Sequence, residues 1–372
     1  MKLNRSLVVA TLFRGNRMNF NVRTAIPAVA VLIAMGFQTA TCQPLQAQGY
    51  IWAINQNNPD TIMHSSNYNG TGGVLNITVG IDSTSSFASQ MEVSVQNVVN
   101  TWNGLNPTTN NIQFGVISGG EIDFESVLLH EVGHSLGLAH VNLASESGLS
   151  GADAKYAKTN KGVNGVYNLN AGGDGVIGSA DDIRGDDVNF NFFEIGVNNP
   201  FTVNAIVDST TYTTDTSLLP VGDNFTAIAG RDVSALYGAA NTESVMMQGS
   251  FFGETQRTLA ASDVIGIRYA QSGIDELQGT ADDYVINLQY TGLTSSADIL
   301  IDFDNSQTGF AVSQNSFSSL GSDHWRINNS NIFFNDGFNW HFNQSLAVPE
   351  PGSALALAGM AMVMMSRRRK RA

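Results

Sequence analysis

Apolar and polar side chains alternate from Leu75 to Ile81, with Leu75, Ile77, Val79 and Ile81 on one side and Asn76, Thr78 and Gly80 on the other. That period of two predicts a half-buried strand. The period then lengthens. Ala88, Met91, Val95, Val98, Val99 and Trp102 recur at spacings of three and four, which predicts an amphipathic helix stopped by Asn103-Gly104. A short strand is expected near Ile112–Ile117, broken by Gly119-Gly120, before a second helix capped by Asp123 or Ser126 that carries Val127, Leu128, Val132, Leu136 and Leu138. Residues 141–243 read as a long insertion, in which Phe201–Val207 and Thr210–Leu219 look like strand material. Farther on, Tyr284–Tyr290, Ile299–Phe303, Trp325–Ile327 and Ile332–Phe334 alternate with Ser, Asn and Gly, and Asp336-Gly337 between aromatic runs is a hairpin signal. Residues 274–346 therefore read as a small β-rich appendage. Its His324 and His341 read as surface or aromatic-cluster residues.

The second helix carries the chemistry. His130 and His134 stand four residues apart, so both imidazoles reach one point on one helix face. Glu131 between them is placed as a general base. Gly137 comes where a helix commonly ends on a left-handed residue, after which the chain can return His140 as a third ligand. Three protein ligands leave a fourth position for water, the arrangement of a catalytic rather than a structural zinc.

Charge and the two chain ends narrow the setting. The 372-residue chain has room for one large or two ordinary domains. Residues 49–348 hold 8 Lys/Arg against 31 Asp/Glu, which argues against nucleic acid or anionic membrane surfaces as partners and permits cation binding. Lys2, Arg5, Arg14, Arg17 and Arg23 precede the apolar run 25–37 and the small residues Thr39-Ala40-Thr41, so residues 1–48 read as a secretory signal cleaved near Ala47, with Met18 a more ordinary start. The only cysteine, Cys42, would leave with it.

The stretch from His130 to His140 resembles the metzincin signature H-E-x-x-H-x-x-G-x-x-H at all five specified positions. A second resemblance lies in Ser244-Val245-Met246-Met247 followed by Thr258–Ile267, which is similar to the methionine-turn and last helix of matrixin-like metzincins. It implies Met246 as the structural methionine beneath the zinc histidines, Met247 beside the metal, and Asp263 as the helix residue supporting the turn. Ser262 stands where an acidic neighbour is usual, and Gln248 replaces the tyrosine ligand of some relatives. The implied fold is α+β, a zincin catalytic domain over residues 49–273 with a twisted sheet, active-site helix, methionine-turn and C-terminal helix, followed by the appendage. The implied activity is an exported zinc endopeptidase that hydrolyses peptide bonds of a protein or peptide substrate, with His130, His134 and His140 on Zn²⁺ and Glu131 as base.

Within the insertion, Asn170–Asp181 can be laid on a calcium loop with Asn170, Asp174, Val176 and Asp181 as candidate ligands, although Gly172 removes one. Asp275–Asp283 echoes its spacing. A structural Ca²⁺ and a solvated acidic loop both fit. At the end of the chain, Val348-Pro349-Glu350-Pro351-Gly352, an apolar run over 354–365 and Arg367–Arg371 resemble a PEP-CTERM sorting signal over residues 347–372. The resemblance implies a Gram-negative-type bacterium, an exosortase-type sorting peptidase as partner, transient membrane tethering, and an envelope, surface or extracellular location. The run is shorter than the roughly 20 residues of a comfortable transmembrane helix. A surface-displayed binding or matrix protein that keeps a zinc site without significant proteolysis shares most of these features. Glu131 separates the two, because a binder has no need of a base.

Overall fold

The computed structural model describes residues 62–139, 141, 143–144, 156–157, 188–189, 192–221, 226–227, 229–247, 250–304 and 309–343. The secretory signal, His140, the calcium loop at 170–181 and the sorting tail lie outside the described residues.

The chain enters with β1 (Ile62–His64), β2 (Gly73–Asp82) and α1 (Ala88–Gly104), followed by β3 (Ile112–Phe114), β4 (Ile122–Asp123) and α2 (Phe124–Ser135). The insertion contributes two-residue strands: β5 (Leu143–Ala144), β6 (Tyr156–Ala157), β7 (Val188–Asn189), β8 (Phe193–Glu194), β9 (Tyr212–Thr213) and β10 (Thr226–Ala227). They pair antiparallel as β5–β6, β7–β10 and β8–β9. Then come α3 (Arg231–Ser234), β11 (Glu254–Gln256), α4 (Ala261–Gln271), β12 (Tyr284–Thr294), β13 (Ile299–Phe303), β14 (Ala311–Gly321), β15 (His324–Phe334) and β16 (Trp340–His341).

A six-stranded, mostly parallel sheet holds this mixed α/β fold together. β2 lies between β12 and β13, parallel to both. β13 and β1 follow one another along a single edge of β15, also in parallel. β14 pairs antiparallel with the opposite edge of β15. Residues 284–334 are thus not an appendage. They supply four strands of the same sheet that contains β2. Such parallel pairs are built between segments about 200 residues apart, and no local pattern carries that information.

Local expectations fare better. β2 buries Leu75, Ile77, Val79 and Ile81. α1 lays Met91, Val95, Val98, Val99 and Trp102 against the sheet and α2, as its periodicity predicts. The helix runs through Gly104, and Leu105 rather than the Asn103-Gly104 pair makes the left-handed cap (φ 42°). Asn103 instead bonds both the N–H and the C=O of Leu288, clamping α1 to β12. The strand near 112–117 shortens to β3, which pairs with β11 outside the main sheet. Of 201–207 and 210–219, only Tyr212–Thr213 is strand. The turn at Asp336-Gly337 forms, but it sends β16 to pair in parallel with β4 instead of folding back as a hairpin. His324 is buried and stacks on His64, and the partly buried His341 lies 3.6 Å from Glu121.

Candidate functional site

α2 begins where Asp123 accepts the Ser126 N–H at 3.0 Å, which makes Asp123, one of the two caps expected from sequence, the N-cap. Arg257 also pairs with this carboxylate and ties the cap to the segment before α4. From that start, His130 and His134 fall one turn apart, with their rings perpendicular and their Nε2 atoms 3.0 Å from each other. His130 Nδ1 lies 2.7 Å from the Val245 carbonyl, and His134 Nδ1 lies 2.8 Å from that of Leu138. Carbonyls only accept, so each Nδ1 carries the ring proton and each Nε2 presents a lone pair. Burial drives the pKa of His130 down to about 4, and burial with the neighbouring ring drives that of His134 to about 3, so both rings are neutral near pH 7.

Two neutral acceptors aimed at each other at this distance fit a shared cation. Tetrahedral zinc with bonds of 2.0–2.1 Å separates two nitrogen ligands by about 3.3 Å. The pair therefore fits zinc in atom type, protonation and spacing. Among the described residues, no group of three His, Cys, Asp or Glu side chains is disposed to hold a metal, and the third ligand read from sequence, His140, lies outside them. On the near side of that residue, Gly137 takes φ 108° and the Leu138 N–H bonds back to the Gly133 carbonyl at 2.9 Å. The left-handed turn read at Gly137 is present. A Cβ there would come within 2.8 Å of the Met63 carbonyl, so glycine also admits β1 to the end of α2. On the far side, the Val141 N–H bonds to the Met246 carbonyl at 3.3 Å.

Fully buried Met246 places its sulfur against Gly133 of α2, where any Cβ would overlap it. Asp263, near the start of α4, gathers the turn that carries Met246. It accepts the Ser244 hydroxyl, the Val245 N–H at 2.9 Å, the Met246 N–H at 3.3 Å and the Ala260 N–H at 2.8 Å. Burial pushes its carboxyl up to about 6 against the pull of those four donors. Val245, whose N–H is held by Asp263, offers its carbonyl to His130, so the His130 tautomer is set from α4 through one residue.

Glu131 is 2% exposed, and burial raises its carboxyl to about 7. The Ser313 hydroxyl of β14 lies 2.8 Å from both its Oε2 and its backbone carbonyl. Two residues on, Asn315 Nδ2 donates to the His134 carbonyl at 3.1 Å. Neither residue was picked out in the sequence, where Ser313-Gln314-Asn315-Ser316 carries no motif. Gly133 lies inside α2, and a glycine there costs about 1 kcal/mol relative to alanine and so marks a packing demand.

The acidic echo at 275–283 is a hydrogen-bonded turn. Asp282 Oδ2 accepts the Ile274 and Asp275 N–H groups, Asp275 accepts that of Leu277, and Asp283 accepts that of Gly279.

Residues 347–370 match the PEP-CTERM protein-sorting motif. The motif marks the chain for export and sorting to the cell envelope of a Gram-negative-type bacterium, through exosortase-type machinery. No curated protein and no solved structure matches the chain.

Proposed function

We propose that the chain is an exported zinc-dependent endopeptidase. The observation that carries this reading is the convergence of His130 and His134 Nε2 at 3.0 Å, with both Nδ1 protons committed to backbone carbonyls and Glu131 on the same helix between them. His130 and His134 bind the metal as neutral imidazoles, and the sequence pattern adds His140 as third ligand. A bound zinc ion would polarise the scissile carbonyl and activate water. Glu131 takes the proton of the attacking water on its carboxylate and delivers it to the leaving amine. Met246 gives the ligands an apolar floor, and Asp263 fixes the turn beneath them.

β14 supports a peptide substrate. It is bonded to β15 along one edge only, among the described residues, and it lies against α2 beside Glu131 and His134. An extended chain added to its open edge would run past the ligands, with main-chain hydrogen bonds supplying affinity. In this reading the sorting tail is removed after export, releasing the enzyme to the envelope surface or beyond it.

The test is cleavage of an unfolded protein by the purified exported protein, before and after zinc chelation. Activity lost on chelation and restored by zinc is expected. Cleavage that survives complete zinc removal would sink the metal assignment. One bound zinc without cleavage of any peptide in a broad library would move the assignment to a surface-displayed binding protein.

A further inference from the structure

Polar side chains bridge α2 and the β14–β15 pair at a place where apolar packing would be expected. Ser313 meets Glu131, Asn315 meets the His134 carbonyl, and Ser330 Oγ meets Ser135 Oγ at 2.7 Å. Ser313 and Asn315 are two apart on one strand, so they project to the same face. With its neighbours bonded to the same helix, Ser313 has little freedom to drift along α2.

A carboxylate on a freely turning side chain presents either oxygen in many directions. Held by a donor on a fixed strand, it keeps one orientation. The donor here stands on the strand whose open edge is suited to receive substrate.

Resting on the endopeptidase reading above, we propose that Ser313 is the positioning residue for Glu131: its hydroxyl, set between Oε2 and the Glu131 backbone carbonyl, fixes the direction of the carboxylate. Glu131 then does its chemistry from α2 while its aim is set from β14. A substrate strand seated on that edge and the base that serves it share one support, and a shift of β14 moves both together.

The experiment compares Ser313→Ala and Ser313→Thr in the full exported protein, with Glu131→Gln alone and combined with Ser313→Ala. Ser313→Ala is expected to lower kcat about 10- to 100-fold with KM within twofold and zinc content unchanged. Ser313→Thr, which keeps the hydroxyl on a residue suited to a strand, is expected to restore most of that loss. An alanine variant within twofold of the wild-type kcat would overturn the proposal, as would a loss that threonine leaves untouched. A second readout needs no activity. In metal-free protein, the denaturation midpoint shifts of Ser313→Ala and Glu131→Gln should not add, and strictly additive shifts would show that the two side chains do not act on each other. An inactive wild type with non-additive shifts would remove the endopeptidase reading and leave the Ser313–Glu131 contact standing, so the two failures are told apart.

Discussion

Gly133 sits in the interior of α2, where a glycine is paid for in helix stability, and Met246 fills the space that a side chain there would take. Replacing it with alanine improves helix propensity and forces the Met246 sulfur away from α2. Overpacking of this kind costs about 1–3 kcal/mol, so Gly133→Ala should lower the denaturation midpoint of the metal-free protein and weaken zinc binding together. A variant as stable as wild type with unchanged zinc affinity would show that the floor under the ligands is not fixed in place. At this scale much of the site was legible. His130, Glu131 and His134 are set by spacing on one helix, Asp123 by its place before that helix, and Gly137 by the need for a positive φ. Met246 and Asp263 stand out through the resemblance; the first packs its sulfur on Gly133 of α2, and the second accepts the Val245 and Met246 N–H groups. Ser313 was not legible, because its partner lies 182 positions away and serine alternating with polar neighbours is also what an ordinary exposed strand contains.

Among the elements, β1 is the shortest member of the main sheet, and more than its ladder holds it there. His64 on β1 is fully buried, with Nε2 2.9 Å from His324 Nδ1 on β15 and Nδ1 3.4 Å from the Tyr284 hydroxyl of β12. Tyr68 packs on its ring, and Glu276 and Asp282 are the nearby carboxylates, Glu276 lying 3.7 Å from the far nitrogen of His324. Burial, and then the neighbouring His324, depress the His64 pKa to about 3. The unfolded chain therefore binds this proton and the folded chain does not. The stabilisation is complete above pH 6.5 and is lost as pH falls towards 3, at a limiting slope of about 1.4 kcal/mol per pH unit for one proton. Denaturation midpoints measured from pH 6.5 to 4.5 should fall more steeply for wild type than for His64→Gln. Parallel curves would mean that His64 does not couple β1 to acid. The sequence showed β2, α1 and α2 through their periods, whereas β14 is polar at most positions and gives no core signal.

The whole molecule is closed by segments from both sides of α2. β1 and β2 come before the histidine helix and β12 to β15 come after α4, and together they make one sheet that packs on α1 and α2. Reading residues 274–346 as an appendage followed from local pattern alone. Pairing in parallel across about 200 residues leaves no trace in local periodicity, while the helix motif is complete within eleven residues. Sorting to the envelope and the chemistry of α2 are written in separate stretches of the chain, and the first says nothing of the second. Glu131 is proposed to work as a base beside a histidine-bound zinc. The most direct measurement is cleavage of an unfolded protein by wild type and Glu131→Ala, with zinc content determined on the same samples. Cleavage lost by a factor of at least about 100 in the variant, with zinc equal in both, is the expected result. A Glu131→Ala protein that keeps its zinc and cleaves as fast as wild type would contradict it.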